Sequence, residues 1–319
     1  LILLLFAPFA PYAACSRIFL VNSTEALQQV VGIAQDGDSI ELEQHQKSYA
    51  CPAHGEGVLI QSSITLRGNM KAGIAIAEFD CQGVGRALLV QGWVSVTLTG
   101  LSFRGGVAPR GGAVMAESAR ELTITDCTFQ NNTMTGASLL DLGAAVSVEL
   151  ASRSLLTVQS SIFRSNFDHS GTISGGGLGC LSSAACRDTR VEIKDTTFQD
   201  NYCGGWGGGA AVIFQGASSN NTVMFSSGSF SNNLAGAWGA GIFVQYQGPA
   251  SRNLVSITGT SFSTNYAGGL GGAVAVTYAG ASVNCSVVVT GASLASNFAS
   301  GNYGGGIALH HAGESVSGT

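Results

Sequence analysis

One spacing constrains this chain more than anything else in it. A small-residue motif begins at Gly111, Gly143, Gly175, Gly207, Gly239, Gly271 and Gly304, in steps of 32 residues five times and then 33. Three residues after each start stands Val114, Val146, Leu178, Ala210, Ile242, Val274 or Ile307. Two further on come Ala116, Val148, Cys180, Val212, Val244, Val276 and Leu309, the period of two that marks a strand. Self-similarity at such a period is the signature of a solenoid, in which each unit buries its apolar face only against its neighbours.

A second motif precedes each of these. Its Phe sits at 103, 129, 163, 198, 230 and 262, with Leu294 in the seventh copy. Seven residues earlier stand Val96, Leu122, Leu156, Val191, Val223, Val255 and Val287. Five earlier stand Leu98, Ile124, Val158, Ile193, Phe225, Ile257 and Val289. Between that pair and the Phe, turn residues recur at Gly100, Asp126, Ser160, Asp195, Gly228, Gly259 and Gly291. Asn follows the Phe by three residues at 132, 166, 201, 233, 265 and 297, with Gly106 in the first copy. The apolar pattern changes parity between the pair and the Phe, which a straight strand cannot do, so a corner lies there. Each repeat therefore predicts at least two short strands, a bend, and a Gly-rich bend into a third strand. With no helical period after Asn132 to supply crossovers, about seven such coils stack in parallel, each about 4.8 Å from the next. The expected fold is all-β, a right-handed parallel β-helix. The polar stretches Ser182–Ala185, Ser218–Asn221 and Gln247–Pro249 read as outward loops.

The ends differ from the repeat. Leu1–Ala14 reads as the apolar part of a signal peptide, too short for a bilayer span of about 20 residues. Residues 15–95 read as a cap and irregular first coils, with a capping helix starting at Ser23-Thr24-Glu25 and running to about Ala34. Residues 96–319 form the repeats. Export would place the eight Cys in an oxidising compartment. On that reading Cys51 and Cys81 staple the N-terminal region and Cys180 and Cys186 close one loop. Cys15, Cys127, Cys203 and Cys285 have no obvious partner. Asn22, Asn131, Asn220 and Asn284 begin Asn-X-Ser/Thr sequons, open to glycosylation.

At these motifs the chain resembles two related groups. Leu27–Val30, Gly37–Leu42, Ser63–Gly68 and Gly100–Phe103 look like the cap and first coils of pectin lyase-like β-helix proteins. Gly271-Gly272-Ala273-Val274 and Phe262-Ser263-Thr264-Asn265 resemble the paired motifs of chlamydial polymorphic outer membrane proteins. The likeness covers residues 22–311. It implies a secreted or cell-surface β-helix with a non-catalytic adhesion, structural or wall-associated role, and extracellular polysaccharide or surface proteins as partners.

The rival implied by the same fold is a polysaccharide lyase or glycoside hydrolase, which needs clustered Asp with Lys or Arg on neighbouring coils. Charged residues make up only 10% of the chain, against about 25% in a typical soluble domain. From Asn201 to Gly313 the only one is Arg252. Asp126 and Asp195, with Lys194 and Asp200 beside them, form the best catalytic candidate, although their column also holds Ser160 and Gly, as a turn column would. A third reading is a carbohydrate-binding module using Trp206 and Trp238, one coil apart, with Tyr202, Tyr266 and Tyr303 nearby. His54 and the pair His310-His311 carry weaker signals. The net charge of -5 offers no basic stripe for nucleic acid. The Gly204–Gly209 run belongs to the repeat and opens no helix, so no nucleotide loop is expected. Neither CxxC spacing nor a His beside a Cys pair suggests a metal, and no cofactor is implied.

Overall fold

The computed structural model describes residues 16–43, 48–52, 56–68, 70–71, 74–75, 77–136, 138, 141–169, 175–301 and 304–313. The proposed signal peptide, Cys15, His54 and Tyr303 lie outside them. The chain forms a parallel β-solenoid of about eight turns. Among the described residues its main sheets hold ten, nine and nine strands, joined by narrower sheets of seven and four. The one antiparallel pair among the described residues is Met70–Lys71 with Ile74–Ala75.

The ten-stranded sheet carries the Val-x-Ile positions. Its registers place Val191 on Val223, Val223 on Val255 and Val255 on Val287. The first nine-stranded sheet carries the Phe column, with Phe163, Phe198, Phe230 and Phe262 in register. The second carries the Gly-Gly strands, with Val212 on Val244 and Val244 on Val276. Stacking begins well before residue 96. Ile18–Val21, Ser39–Leu42 and Thr65–Gly68 are the first three strands of the ten-stranded sheet. The apparent irregularity of the first hundred residues lies in their connections.

The corner implied by the change of parity is built in the left-handed backbone region. Gly100, Asp126, Ser160, Asp195, Ser227, Gly259 and Gly291 all have φ between 49° and 65°. In the coil of Phe230 the position belongs to Ser227 rather than Gly228. Two further corner columns of this kind run along the rod: Asn131, Ser165, Asp200, Asn232, Thr264 and Ser296, and Arg153, Asp188, Asn220, Arg252 and Asn284. Short polar side chains predominate because they tolerate this conformation best after Gly. Gly143 shows why the third strand opens on Gly. Its φ is 71°, and a β-carbon there would stand 1.9 Å from the Val146 carbonyl oxygen.

Two sequence expectations need correction. A fifth in-register sheet runs in or directly after the stretches read as loops: Ser218–Ser219 lies within one, Cys186–Arg187 and Ala250–Ser251 follow two others, and Ser282–Val283 continues the sheet. Two-residue strands carry too little alternation to be recognised by period. The capping helix spans Thr24–Val31 and ends on Gly32, three residues short of Ala34. Its N-cap Ser23 accepts from the Ala26 N–H at 3.1 Å, and its buried Thr24, Leu27 and Val30 face the first coil.

Beneath that helix, buried Asp38 accepts from the backbone N–H of Arg17 (2.9 Å) and Gln35 (2.8 Å) and from the Arg17 guanidinium at 2.5 Å. Burial alone would raise the Asp38 carboxyl; Arg17 and these N–H groups outweigh it and hold it below its usual value. A depressed folded-state pKa stabilises at pH above the unfolded value and loses that stabilisation as pH falls through the folded one. Asp38→Asn is therefore expected to cost about 1–3 kcal/mol at neutral pH and to remove part of the acid-side loss. Urea unfolding at neutral and acid pH checks this; equal stability of both proteins at neutral pH would refute it.

Candidate functional site

The interior of the rod is given over to ladders. Phe79, Phe103, Phe129, Phe163, Phe198, Phe230 and Phe262 are fully buried, with successive ring centroids 4.6–5.2 Å apart and interplanar angles of 3–16°. Beside them runs an Asn ladder. Each Asn presents its Oδ1 to the backbone N–H and the amide of the Asn one coil earlier, as Asn233 does for Asn201 at 3.1 and 3.0 Å. Its own Nδ2 also donates to a Phe carbonyl, Asn201 to Phe163 at 2.9 Å. A second ladder runs Thr189–Asn221–Asn253: the Thr189 and Asn221 N–H groups each donate to the next Oδ1 at 2.9 Å. Sequence reading missed it, although Asn221 and Asn253 stand two residues before Val223 and Val255 and are 32 apart.

The catalytic candidates occupy corners. The Asp126 N–H donates to Gln159 O and the Asp195 N–H to Ser226 O, so both serve as left-handed turn residues. Ser160 sits between them, which puts Asp126 and Asp195 about 10 Å apart by two strand spacings. Lys194 and Asp195 are exposed, with Nζ 3.9 Å from Oδ2. Asp200 is exposed at the following corner. An ion pair this open to water is worth little.

Trp206 and Trp238 are half-buried and stack on each other, centroids 5.7 Å apart at 20°. Both also lean on Phe243, at 5.1 and 6.3 Å. A β-carbon on Gly269 would meet the Trp238 ring at 2.4 Å, so the next coil lies against its far face. The indoles thus spread over the outer surface of the Gly-Gly sheet, where Ala211, Ile213, Phe243 and Ala275 are buried. That second layer was readable in the strands Ala210–Phe214, Ile242–Tyr246 and Val274–Tyr278, every residue of which is buried. Apolar residues at consecutive positions mean a sheet covered on both faces. Tyr202 and Tyr266 lie elsewhere, in an outward column with Phe167, Leu234 and Phe298. There Phe167 stacks on Tyr202 at 4.2 Å and Tyr266 on Phe298 at 5.2 Å, and Phe167, Tyr266 and Phe298 are exposed.

The cysteine expectations divide. Cys51 and Cys81 form a disulfide with Cα atoms 4.7 Å apart, at the ends of paired strands Tyr49–Ala50 and Ala77–Asp80. Cys180 and Cys186 are free, which corrects their proposed pairing. Cys180 fills the interior column between Val148 and Val212, where burial drives its thiol pKa upward. Cys186, on the next sheet, has its sulfur 3.1 Å from Thr189 Oγ1. Burial also pushes the Cys127 thiol up to about 12. Adjacent His310 and His311 separate: His310 lies 6.1 Å from Trp238, and His311 stacks on Tyr278 with Nε2 2.6 Å from Ser282 Oγ. Among the described residues, no three His, Cys, Asp or Glu come together as a metal site.

In the N-terminal coils, Arg110 pairs with Glu117 at 3.4 Å and Asp141 at 3.8 Å. Compared with known proteins, the chain matches no family model and no curated protein. Fold and ladders together define its class as a parallel β-solenoid.

Proposed function

We propose that the chain is a secreted or cell-surface β-helix rod of the pectin lyase-like kind, with polymorphic outer membrane protein-type repeats and a non-catalytic adhesion, structural or wall-associated role. The observation that carries this reading is the use of side-chain chemistry. Interior Asn and Phe build the ladders, corner Asp and Ser make turns, and Arg252 is the only acidic, Lys or Arg residue from 201 to 313. Such a rod presents a long, weakly charged surface suited to contact with extracellular polysaccharide or surface protein. The motifs Gly271–Val274 and Phe262–Asn265 supply the family likeness behind it.

The test is a secreted chain screened on a polysaccharide array, reading retained protein together with released reducing ends or unsaturated products. No product is expected. Release abolished by Asp195→Asn would make the Asp126/Asp195 column an active site and sink the proposal. Retention lost on Trp238→Ala would make the chain a binding module acting through the indole bend. The sequon residues Asn22, Asn131, Asn220 and Asn284 are all exposed, whereas the ladder residues Asn132, Asn166, Asn201, Asn221, Asn233, Asn253 and Asn265 are buried. Export through a glycosylating pathway is therefore expected to yield glycans at the former set. Intact mass before and after enzymatic deglycosylation reads this, and an unchanged mass removes glycosylation from the proposal.

A further inference from the structure

We propose that Arg86 forms the floor of a binding site for one small carboxylate. The inference does not depend on the adhesion reading. Arg86 is the one buried Arg among the described residues, 8% exposed. Arg17, Arg104, Arg110 and Arg190 each face a carboxylate. Arg86 faces none. Its Nε is buried without a partner, and no hydrogen bond or ion pair reaches its guanidinium among the described residues. A buried charge is costly unless it is paired, so this one calls for an anion from outside the chain.

The surroundings fix the head group and select its ligand. A β-carbon on Gly57 would stand 2.7 Å from Arg86 Cγ, so the stem lies pressed against the preceding coil and has little freedom to swing. Burial first, and then the charge of Arg110, lower the Arg86 pKa, while Glu117 and Glu56 oppose them from beyond ion-pair distance. Glu117 is already engaged, by Arg110 at 3.4 Å and by Gln91 Nε2 at 3.0 Å, and Arg110 also meets Asp141 at 3.8 Å. The open edge of a guanidinium takes both oxygens of one carboxylate in a planar fork. Sulfate or phosphate would bring more negative charge beside Glu117 and Glu56, where a carboxylate brings a single charge. A guanidinium exposed only at its rim admits a small acid and excludes the chain of a polyuronate.

The experiment uses the secreted chain at neutral pH and constant ionic strength, with acetate as the probe against chloride, read by thermal midpoint and titration calorimetry. Saturable stabilisation by acetate is expected. Binding should weaken at least about tenfold in Arg86→Met, and likewise in Arg86→Lys, which keeps the charge and loses the fork. Should Arg86→Met not fold, Arg86→Lys reads the same loss. Without acetate, Arg86→Met should melt no lower than the parent, because no partner within the chain is lost. A lower midpoint means that the guanidinium already has a partner in the chain, and it overturns the proposal. So does an acetate effect that never saturates or that both variants retain. Sulfate binding as tightly as acetate overturns the choice of carboxylate, and an oligouronate binding more tightly than acetate overturns the small ligand.

Discussion

Asn201→Ala is expected to lower the unfolding free energy by about 2–5 kcal/mol, a far larger effect than an average surface substitution. Asn201 stands mid-ladder and is buried. Its Oδ1 accepts from Asn166 N–H at 3.1 Å and Asn166 Nδ2 at 2.9 Å, and its Nδ2 donates to Phe163 O and to Asn233 Oδ1. Removing the amide leaves the Asn166 N–H buried with no acceptor, and an orphaned buried donor costs about 1–3 kcal/mol. Low local dielectric makes a broken polar chain worse than a single lost bond. The thermal midpoint should fall by roughly 10 °C. Asn131→Gly is the internal control. Asn131 is exposed at φ 54°, so Gly relieves a left-handed conformation and should change stability by under about 1 kcal/mol. Matched losses for both variants would mean that the ladder contributes nothing beyond the corner.

The ladders also explain what could and could not be read from the sequence. Asn132 to Asn297 and Phe103 to Phe262 recur because stacked coils force identical environments one above another, so period alone located both columns. The Cys51–Cys81 bridge was one of several pairings the sequence left open, and the register of Tyr49–Ala50 on Phe79–Asp80 is what brings the two Cys together. The Cys180–Cys186 pairing was inferred from sequence proximity, which says little where one residue lies mid-strand in the core and the other begins a strand of the next sheet. The fifth sheet was hidden by strands of two residues. For Trp206 and Trp238 the repeat gave their column but not the packing of their rings on Phe243. The outer layer they cover is written in Ala210–Phe214, Ile242–Tyr246 and Val274–Tyr278, whose uninterrupted burial needs a cover on both sides. The role of Asp126 and Asp195 was the least legible, because a turn column and a catalytic column select the same residue at the same spacing.

The Phe column gives the second large effect and a sharper comparison. Phe198 is fully buried between Phe163 at 4.7 Å and Phe230 at 4.6 Å. Phe198→Ala should cost about 3–5 kcal/mol, because coils hydrogen-bonded on both sides cannot close over the cavity. Phe198→Leu should cost only about 1 kcal/mol. The seventh copy already places Leu294 in register on Phe262, so the coil geometry accepts Leu without moving the backbone. Urea unfolding followed by far-ultraviolet circular dichroism measures both. A large gap between the two variants means the column is held by filled volume, to which ring stacking adds little. Equal, large losses would instead mean that ring-on-ring contact holds the column together. In a solenoid the loss should also stay local: each coil touches only its neighbours, so hydrogen exchange should rise around Phe163, Phe198 and Phe230 before it rises near the disulfide.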